Sequence, residues 1–262
     1  MLQPRIIPCL LLKNRGLVKT IHFKDPTYIG DPVNAVRIFN QKEVDELIFL
    51  DIVPCRENYK IGSIKNNHDT YRFIKMISEE CSMPFAFGGG IQSLDDVQVI
   101  LSTGVEKVVI NTHAHLNSKL IKESSDIFGS QSIVVAMDVK KNNDGSYIVF
   151  THGGAKSTGI CAVDYAKKMA ADGAGELFVN SIDLDGSRMG YDIDLINRVS
   201  NSVDIPVIAC GGAGTISHLH EALYNGNASA VAAGSMFVFS GRKRGVLINY
   251  PSKEDKEIII GK

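Results

Sequence analysis

Three carboxylates stand where apolar runs of the chain end. Asp51 closes the run Glu46–Ile52, Asp138 lies near the end of Ser132–Val139, and Asp185 follows Glu176–Ile182. Asp138 is flanked by Met137 and Val139, a setting that lifts a carboxyl pKa toward the range useful for proton transfer. The plain alternative for such a residue is a buried Asp that caps a loop. Glycines close other runs: Gly88-Gly89-Gly90, Gly211-Gly212 and Gly234-Ser235, with Asn111-Thr112 after a fourth. Bare backbone N–H groups beside a hydroxyl or amide suit anions, phosphate above all. One such glycine run is most simply a tight turn, but the repetition of these tips in register argues for two phosphate sites and a ligand with a phosphate at each end. The pairs His113/His115 and His218/His220 invite a metal reading. The first lies beyond the Asn111-Thr112 tip and the second inside a predicted helix, where residues two apart face different ways, and no third ligand cluster accompanies them. No metal and no cofactor is expected.

These residues need a frame. Eight short runs rich in Val, Ile and Phe recur at Arg5–Leu12, Glu46–Ile52, Pro84–Phe87, Lys107–Ile110, Ser132–Val139, Glu176–Ile182, Pro206–Cys210 and Ala228–Ala233. Between them lie helix starts: Asp31-Pro32 opens Val33–Gln41, and Ser93 opens Leu94–Leu101 with Asp95 and Asp96 in its first turn. Consecutive rather than alternating apolar residues suit parallel strands covered on both faces. Eight such strands with crossover helices close into a (β/α)8 TIM barrel, and the 262 residues match the roughly 250 that this fold takes. One domain over 1–262 is expected, with a hairpin at Asn142–Phe150 as an elaboration. The halves echo each other: Ile6–Lys13 against Ile133–Lys140, Glu46-Leu47 against Glu176-Leu177, and Phe87–Gly90 against Cys210–Ala213, at offsets of 127, 130 and 123 residues. A half-barrel duplication explains this and a doubly wound sheet does not. Reactive groups of such a barrel sit at the C-terminal ends of its strands.

Composition narrows the class. A net charge of -1 gives no field to recruit nucleic acid or an anionic membrane. The longest apolar stretch, Ala228–Phe239, has 12 residues, short of the roughly 18 a bilayer requires, and Arg5–Lys13 is too short and wrongly flanked for a signal peptide. Cys9, Cys55, Cys81, Cys161 and Cys210 are odd in number and contain no CxxC, which fits thiols in a reducing cytoplasm.

Arg5-Ile-Ile-Pro-Cys-Leu10, Lys19, Gly30-Asp31-Pro32, Asp45–Asp51, Phe87–Ile91, Ile110–Thr112, Phe128–Gln131, Ser181–Gly186, Gly190–Asp192 and Gly211–Gly214 together resemble the cyclase subunit of imidazole glycerol phosphate synthase, from Met1 to about Phe239. The resemblance implies a barrel of the ribulose-phosphate-binding type and a substrate phosphorylated at both ends, held by Gly89, Gly90, Asn111 and Thr112 on one side and by Gly186, Gly211, Gly212, Gly234 and Ser235 on the other. It also implies ammonia from a class I glutaminase docked at the N-terminal face in a heterodimer, near Glu106 and Gln131. A ring of Arg5, Glu46, Lys107 and Glu176 would gate its entry. The rival to a gate is a salt-bridged plug, though a plain floor is cheaper to build from Val and Leu.

The family uses paired aspartates as acid and base. Asp138 matches one, while the position of the other is Leu11, which exchanges no proton. Asp51, Asp185 and Lys19 are the supporting candidates. The segment Lys13–Lys19 lacks the usual acidic residue, position 210 is Cys, and the chain from about 240 diverges, ending its motif in Leu247-Ile-Asn-Tyr-Pro251. These departures resemble the paralogues of bacterial surface-polysaccharide clusters, which work with a glutaminase and a separate sugar amidotransferase in lipopolysaccharide or surface-glycan synthesis. The alternative is a true cyclase subunit of histidine biosynthesis, a glutamine-amidotransferase-coupled lyase. A stand-alone phosphosugar isomerase would need no charged floor, and a silent glutaminase activator would need neither Asp138 nor the phosphate loops.

Overall fold

The computed structural model describes residues 3–53, 68–241 and 243–261. Cys55 and Arg242 lie outside the described residues. Eight parallel strands close on themselves in the order β1 (Arg5–Lys13), β4 (Leu47–Asp51), β5 (Phe85–Gly88), β6 (Lys107–Ile110), β7 (Ile133–Lys141), β10 (Glu176–Ser181), β11 (Val207–Cys210) and β12 (Ala230–Ala233), with β12 pairing β1. The fold is the expected (β/α)8 barrel.

The helices α1 (Pro32–Gln41), α2 (His68–Glu80), α3 (Leu94–Leu101), α4 (Thr112–Leu116), α5 (Lys119–Phe128), α6 (Ala162–Ala171), α7 (Ile193–Ser200), α8 (Ile216–Tyr224) and α9 (Ser235–Val238) follow the strands in turn. Asp31 caps α1 by accepting from Asn34 N, with Pro32 at its first position. Ser93 and Asp96 form a reciprocal capping box on α3.

Two apolar layers result from the period of two along each strand. On β1, Ile6, Leu10 and Leu12 face the helices while Ile7 and Cys9 face the barrel interior. The interior is lined largely by small or slender side chains, including Ala86, Val109, Ala136, Ala230 and Ala232, with Phe178 the one aromatic among them. The outer layer holds most of the bulk, Phe39, Phe49, Phe87 and Phe237 being fully buried there, each worth about 1.5–3 kcal/mol of transfer free energy.

The repeat is visible in backbone angles. Ser93 and Thr215, which precede α3 and α8, share φ -142 and ψ 163. Asn111 (φ -112, ψ -87) and Gly234 (φ -107, ψ -72) precede the short α4 and α9 in nearly the same conformation. Each half also carries an antiparallel extension: β2 (Gly16–Ile21) and β3 (Lys24–Gly30) on β1, and β8 (Tyr147–Thr151) and β9 (Lys156–Cys161) on β7. The sequence patterning predicts β8 but neither β9 nor the first extension.

After α9 a small hairpin, β13 (Phe239–Ser240) and β14 (Gly245–Val246), leads into α10 (Lys253–Ile259). This tail runs back to the other end of the barrel, where Tyr250 Oη donates to Ile6 O at 2.8 Å and Lys256 Nζ pairs with Asp45 at 2.9 Å. Among the described residues no helix is long and apolar enough to cross a membrane, and Cys9, Cys81, Cys161 and Cys210 are free thiols, the first and last buried.

Candidate active site

The C-terminal ends of the strands surround a cavity of about 370 Å³. The residues singled out from sequence line it, Asp51, Asp138 and Asp185, the tips Gly89-Gly90, Asn111-Thr112, Gly211-Gly212 and Gly234-Ser235, and also Lys19, Gly186 and Leu11, while Gly88 of the glycine run stays within its strand and does not.

Asp138 lies near the end of β7, where it pairs in register with Asn180 of β10. Asn111 Nδ2 donates to its Oδ2 at 3.1 Å and to Ala136 O at 3.1 Å. Burial pushes the Asp138 carboxyl up to about 7, helped by the negative charge of Asp185 and opposed by hydrogen bonds from Asn180 and Asn111. A carboxyl with this value is populated in both protonation states near neutrality, which is what an acid or base needs. Asn180 was not among the residues expected at the site. Its signal was an amide at an inward position of an otherwise apolar run.

Asp51 is raised by burial, against a backbone bond from Val53 N at 3.0 Å. Asp185 is committed to the first extension: Thr20 Oγ1 donates to its Oδ2 at 2.9 Å, Phe23 N donates to the same oxygen at 3.2 Å, and His22 N donates to its backbone O at 3.0 Å. His22 and Phe23 have φ 51 and 62, a turn that side chains rarely adopt unaided, so Asp185 holds the extension over the mouth. Lys19, 7% exposed, sends its amine to Cys9 O at 2.7 Å. It lies where a side chain on Gly234 would meet it, so a Cβ at 234 would have to displace the Lys19 amine. Lys19 is thus packed against the Gly234-Ser235 tip, and a positive charge there favours an anion at that end of the cavity. Gly212 has φ +107, and a Cβ on it would clash with Gly190 O.

At the opposite tip, Thr112 Oγ1 accepts from His152 N at 3.1 Å, so the second extension closes over Asn111-Thr112. His113 and His152 both line the cavity, and both imidazoles are lowered: His113 by burial and by His152, His152 by burial, Lys156 and His115. His218 instead accepts from Gly214 N at 3.2 Å and His220 stacks on Tyr224.

At the N-terminal ends of the strands the four expected charges meet. Arg5 contacts Glu46 at 2.5 Å and Glu176 at 3.1 Å, while Lys107 contacts Glu46 at 3.0 Å and Glu176 at 3.1 Å. Glu46 is almost wholly buried, its side chain only 3% exposed. The alternation of sign closes a ring across the barrel floor, and each charge has two opposite neighbours. Glu106 and Gln131 are exposed near the starts of β6 and β7.

The chain is thus a closed (β/α)8 barrel with a carboxyl at a strand tip, glycine-lined tips around one cavity and a floor of paired charges. Comparison with known proteins makes this specific. The family described as histidine biosynthesis protein matches residues 5–242, and the chain belongs to it. A protein of Pseudomonas aeruginosa named "Putative imidazole glycerol phosphate synthase subunit hisF2" is 48% identical over 251 residues, covering 96% of this chain and 97% of the relative. A relative from Leptospira borgpetersenii whose name ends in HisF is 46% identical over 260 residues, covering 99% of both chains. A hisF3-named relative from Vibrio vulnificus is 41% identical over 258 residues, covering 98% of this chain and 96% of its own. The chain is therefore similar throughout its length to cyclase-type subunits, and it is an enzyme subunit of that type.

Proposed function

We propose that this barrel receives ammonia from a class I glutaminase docked on the face that carries Glu106 and Gln131, and delivers it to a substrate with a phosphate at each end. The observation that carries this reading is the closed ring of Arg5, Glu46, Lys107 and Glu176 beneath an interior of small residues. Desolvating four charges is expensive, and well-packed apolar residues would seal a floor at equal or lower cost. Paired charges can separate and re-form around a small neutral molecule, which an apolar plug cannot do.

At the other end, Gly89, Gly90, Asn111 and Thr112 hold one phosphate. Gly186, Gly211, Gly212, Gly234 and Ser235 hold the other, with Lys19 supplying a cation. Asp138 is the acid or base, supported by Asp51 and Asp185. Leu11 faces the same cavity and offers no second carboxyl. The chain is thus a paralogue whose nitrogen goes to sugar amidation in surface-glycan synthesis in the cytoplasm, working with a separate sugar amidotransferase. The second reading is a true imidazole glycerol phosphate synthase cyclase subunit, favoured by the relatives' names.

Size-exclusion chromatography of the chain mixed with the cognate glutaminase tests the reading. A stoichiometric heterodimer at roughly micromolar concentrations is expected. Two separate peaks would promote a stand-alone isomerase. A complex in which no variant of Asp138 alters nitrogen transfer would favour a silent activator.

A further inference from the structure

The cavity holds its fixed positive charge at one end only. Among the described residues lining it, Lys19 is the one lysine or arginine, and it is packed against the Gly234-Ser235 tip. The Asn111-Thr112 tip has none, while Asp51 of β4 and Asp138 of β7 share the cavity with it. What stands there instead is a pair of half-buried imidazoles, His113 and His152, both lining the cavity. His113 follows Thr112 in α4, and His152 N donates to Thr112 Oγ1 at 3.1 Å.

The hydrogen bonds of His152 fix its tautomer. Thr151 Oγ1 donates its single hydrogen to Lys156 O at 3.4 Å, so in the 3.0 Å contact between His152 Nδ1 and Thr151 Oγ1 the ring nitrogen is the donor. A neutral imidazole carries one N–H, which leaves Nε2 with a lone pair. A lone pair repels a phosphate oxygen. Once protonated, the same nitrogen donates to it.

The surroundings favour the neutral rings. On His113, burial and the charge of His152 outweigh Asp96 of α3, whose carboxylate already accepts from Gln92 N, Ser93 N and Ser93 Oγ. On His152, burial, Lys156 of β9 and His115 of α4 act in the same direction. A doubly charged anion beside the rings reverses that balance.

We propose that His113 and His152 are binding residues for the phosphate at the Asn111-Thr112 tip, and that the pair takes up a proton from solvent as that phosphate enters. This rests on the reading of the cavity as a site for a ligand with a phosphate at each end. It makes the two ends unequal. The Lys19 end holds its anion throughout the neutral range, and the histidine end holds its anion less tightly as pH rises.

Sodium sulfate is the probe, because it stays doubly charged throughout the range in which histidine titrates. In the isolated chain labelled with 13C and 15N, the backbone amide shifts of Thr112 and Ser235 report occupancy of the two tips. The imidazole signals of His113 and His152, assigned through their own backbones, report charge, with the distant His220 as control and sodium chloride at equal ionic strength as reference. Saturating sulfate should raise both imidazole midpoints, together by about one pH unit, and leave His220 unmoved. The sulfate dissociation constant read at Thr112 should rise about three- to tenfold between about pH 6 and about pH 8, while that read at Ser235 changes little. In the double variant His113→Gln with His152→Gln the Thr112 value should lose this pH dependence. A saturating Thr112 shift with either midpoint unmoved would overturn the proposal and keep the phosphate reading. So would an equal pH dependence at the two tips, or one at Thr112 that persists in the double variant. No shift of Thr112 at any sulfate concentration would overturn both. The wild-type titration decides even if the variant fails to fold.

Discussion

Leu11 and Asp138 occupy equivalent positions in the two halves of the barrel. Leu11 pairs with Val18 of the first antiparallel extension, Asp138 with Phe150 of the second, and both side chains line the same cavity. Only one of the two can carry a proton.

That asymmetry predicts the catalytic outcome of supplying the cyclase substrate and free ammonium to the purified chain: little or no imidazole glycerol phosphate is formed. Loss of one acid or base group typically lowers a rate by about 10²–10⁴-fold. Leu11→Asp should raise any residual turnover by on the order of 10²-fold, measured by product formation. Robust turnover by the unmodified chain would refute this assignment.

The equivalent tips predict two anion sites in one mouth. A crystal grown in phosphate should show one anion against Gly90, Asn111 and Thr112 and a second against Gly212, Gly234 and Ser235. Gly212→Ala should empty the second and spare the first, because its Cβ would meet Gly190 O. Water at both tips under saturating phosphate would contradict the two-phosphate reading.

Asp138 predicts a pH dependence of stability with a definite sign. Its folded value, about 7, lies above the ordinary carboxyl value of 3.8. The folded chain therefore holds a proton that the unfolded chain releases between those values. Its burden on stability is absent below about pH 4, grows as pH rises and is complete above about pH 7. Asp138→Asn should gain in urea midpoint relative to wild type between about pH 5 and about pH 8. A constant difference across that window would mean that Asp138 is ionised throughout.

The ring predicts a mixed phenotype. Glu46 is the most enclosed member and bonds both cations. Glu46→Ala should cost about 3–5 kcal/mol in chemical denaturation, because two partly buried cations are left to share Glu176. Lys107→Ala should leave the glutaminase complex assembled yet uncouple hydrolysis from nitrogen transfer, since it disturbs the passage and not the docking rim.

Much of this was legible in the residues. The eight apolar runs end within two residues of the observed strands at both ends, because parallel strands buried on both faces leave a plain apolar signal. Lys24–Gly30 left none: it is mostly exposed, contains Pro26, and its turn residues are His22 and Phe23 in place of the expected Asn or Gly. Asp185, 162 positions from Phe23, anchors that turn, and such a long-range support has no local pattern. Asp138 and the glycine tips were found by position at the ends of runs. Asn180 and His152 were not: the first is a single amide inside an apolar run, and the second reaches the cavity only through the fold-over of β8. The four ring charges sit one per strand at the strand starts and carry no spacing motif, so only the family resemblance gathered them.

This barrel is proposed as the acceptor half of an ammonia-transferring pair. The rate of glutamine hydrolysis by the cognate class I glutaminase, with and without this chain at roughly micromolar concentration, tests it most directly. Binding to the face around the ring should raise that rate at one-to-one stoichiometry. No stimulation and no complex at that concentration would contradict the account.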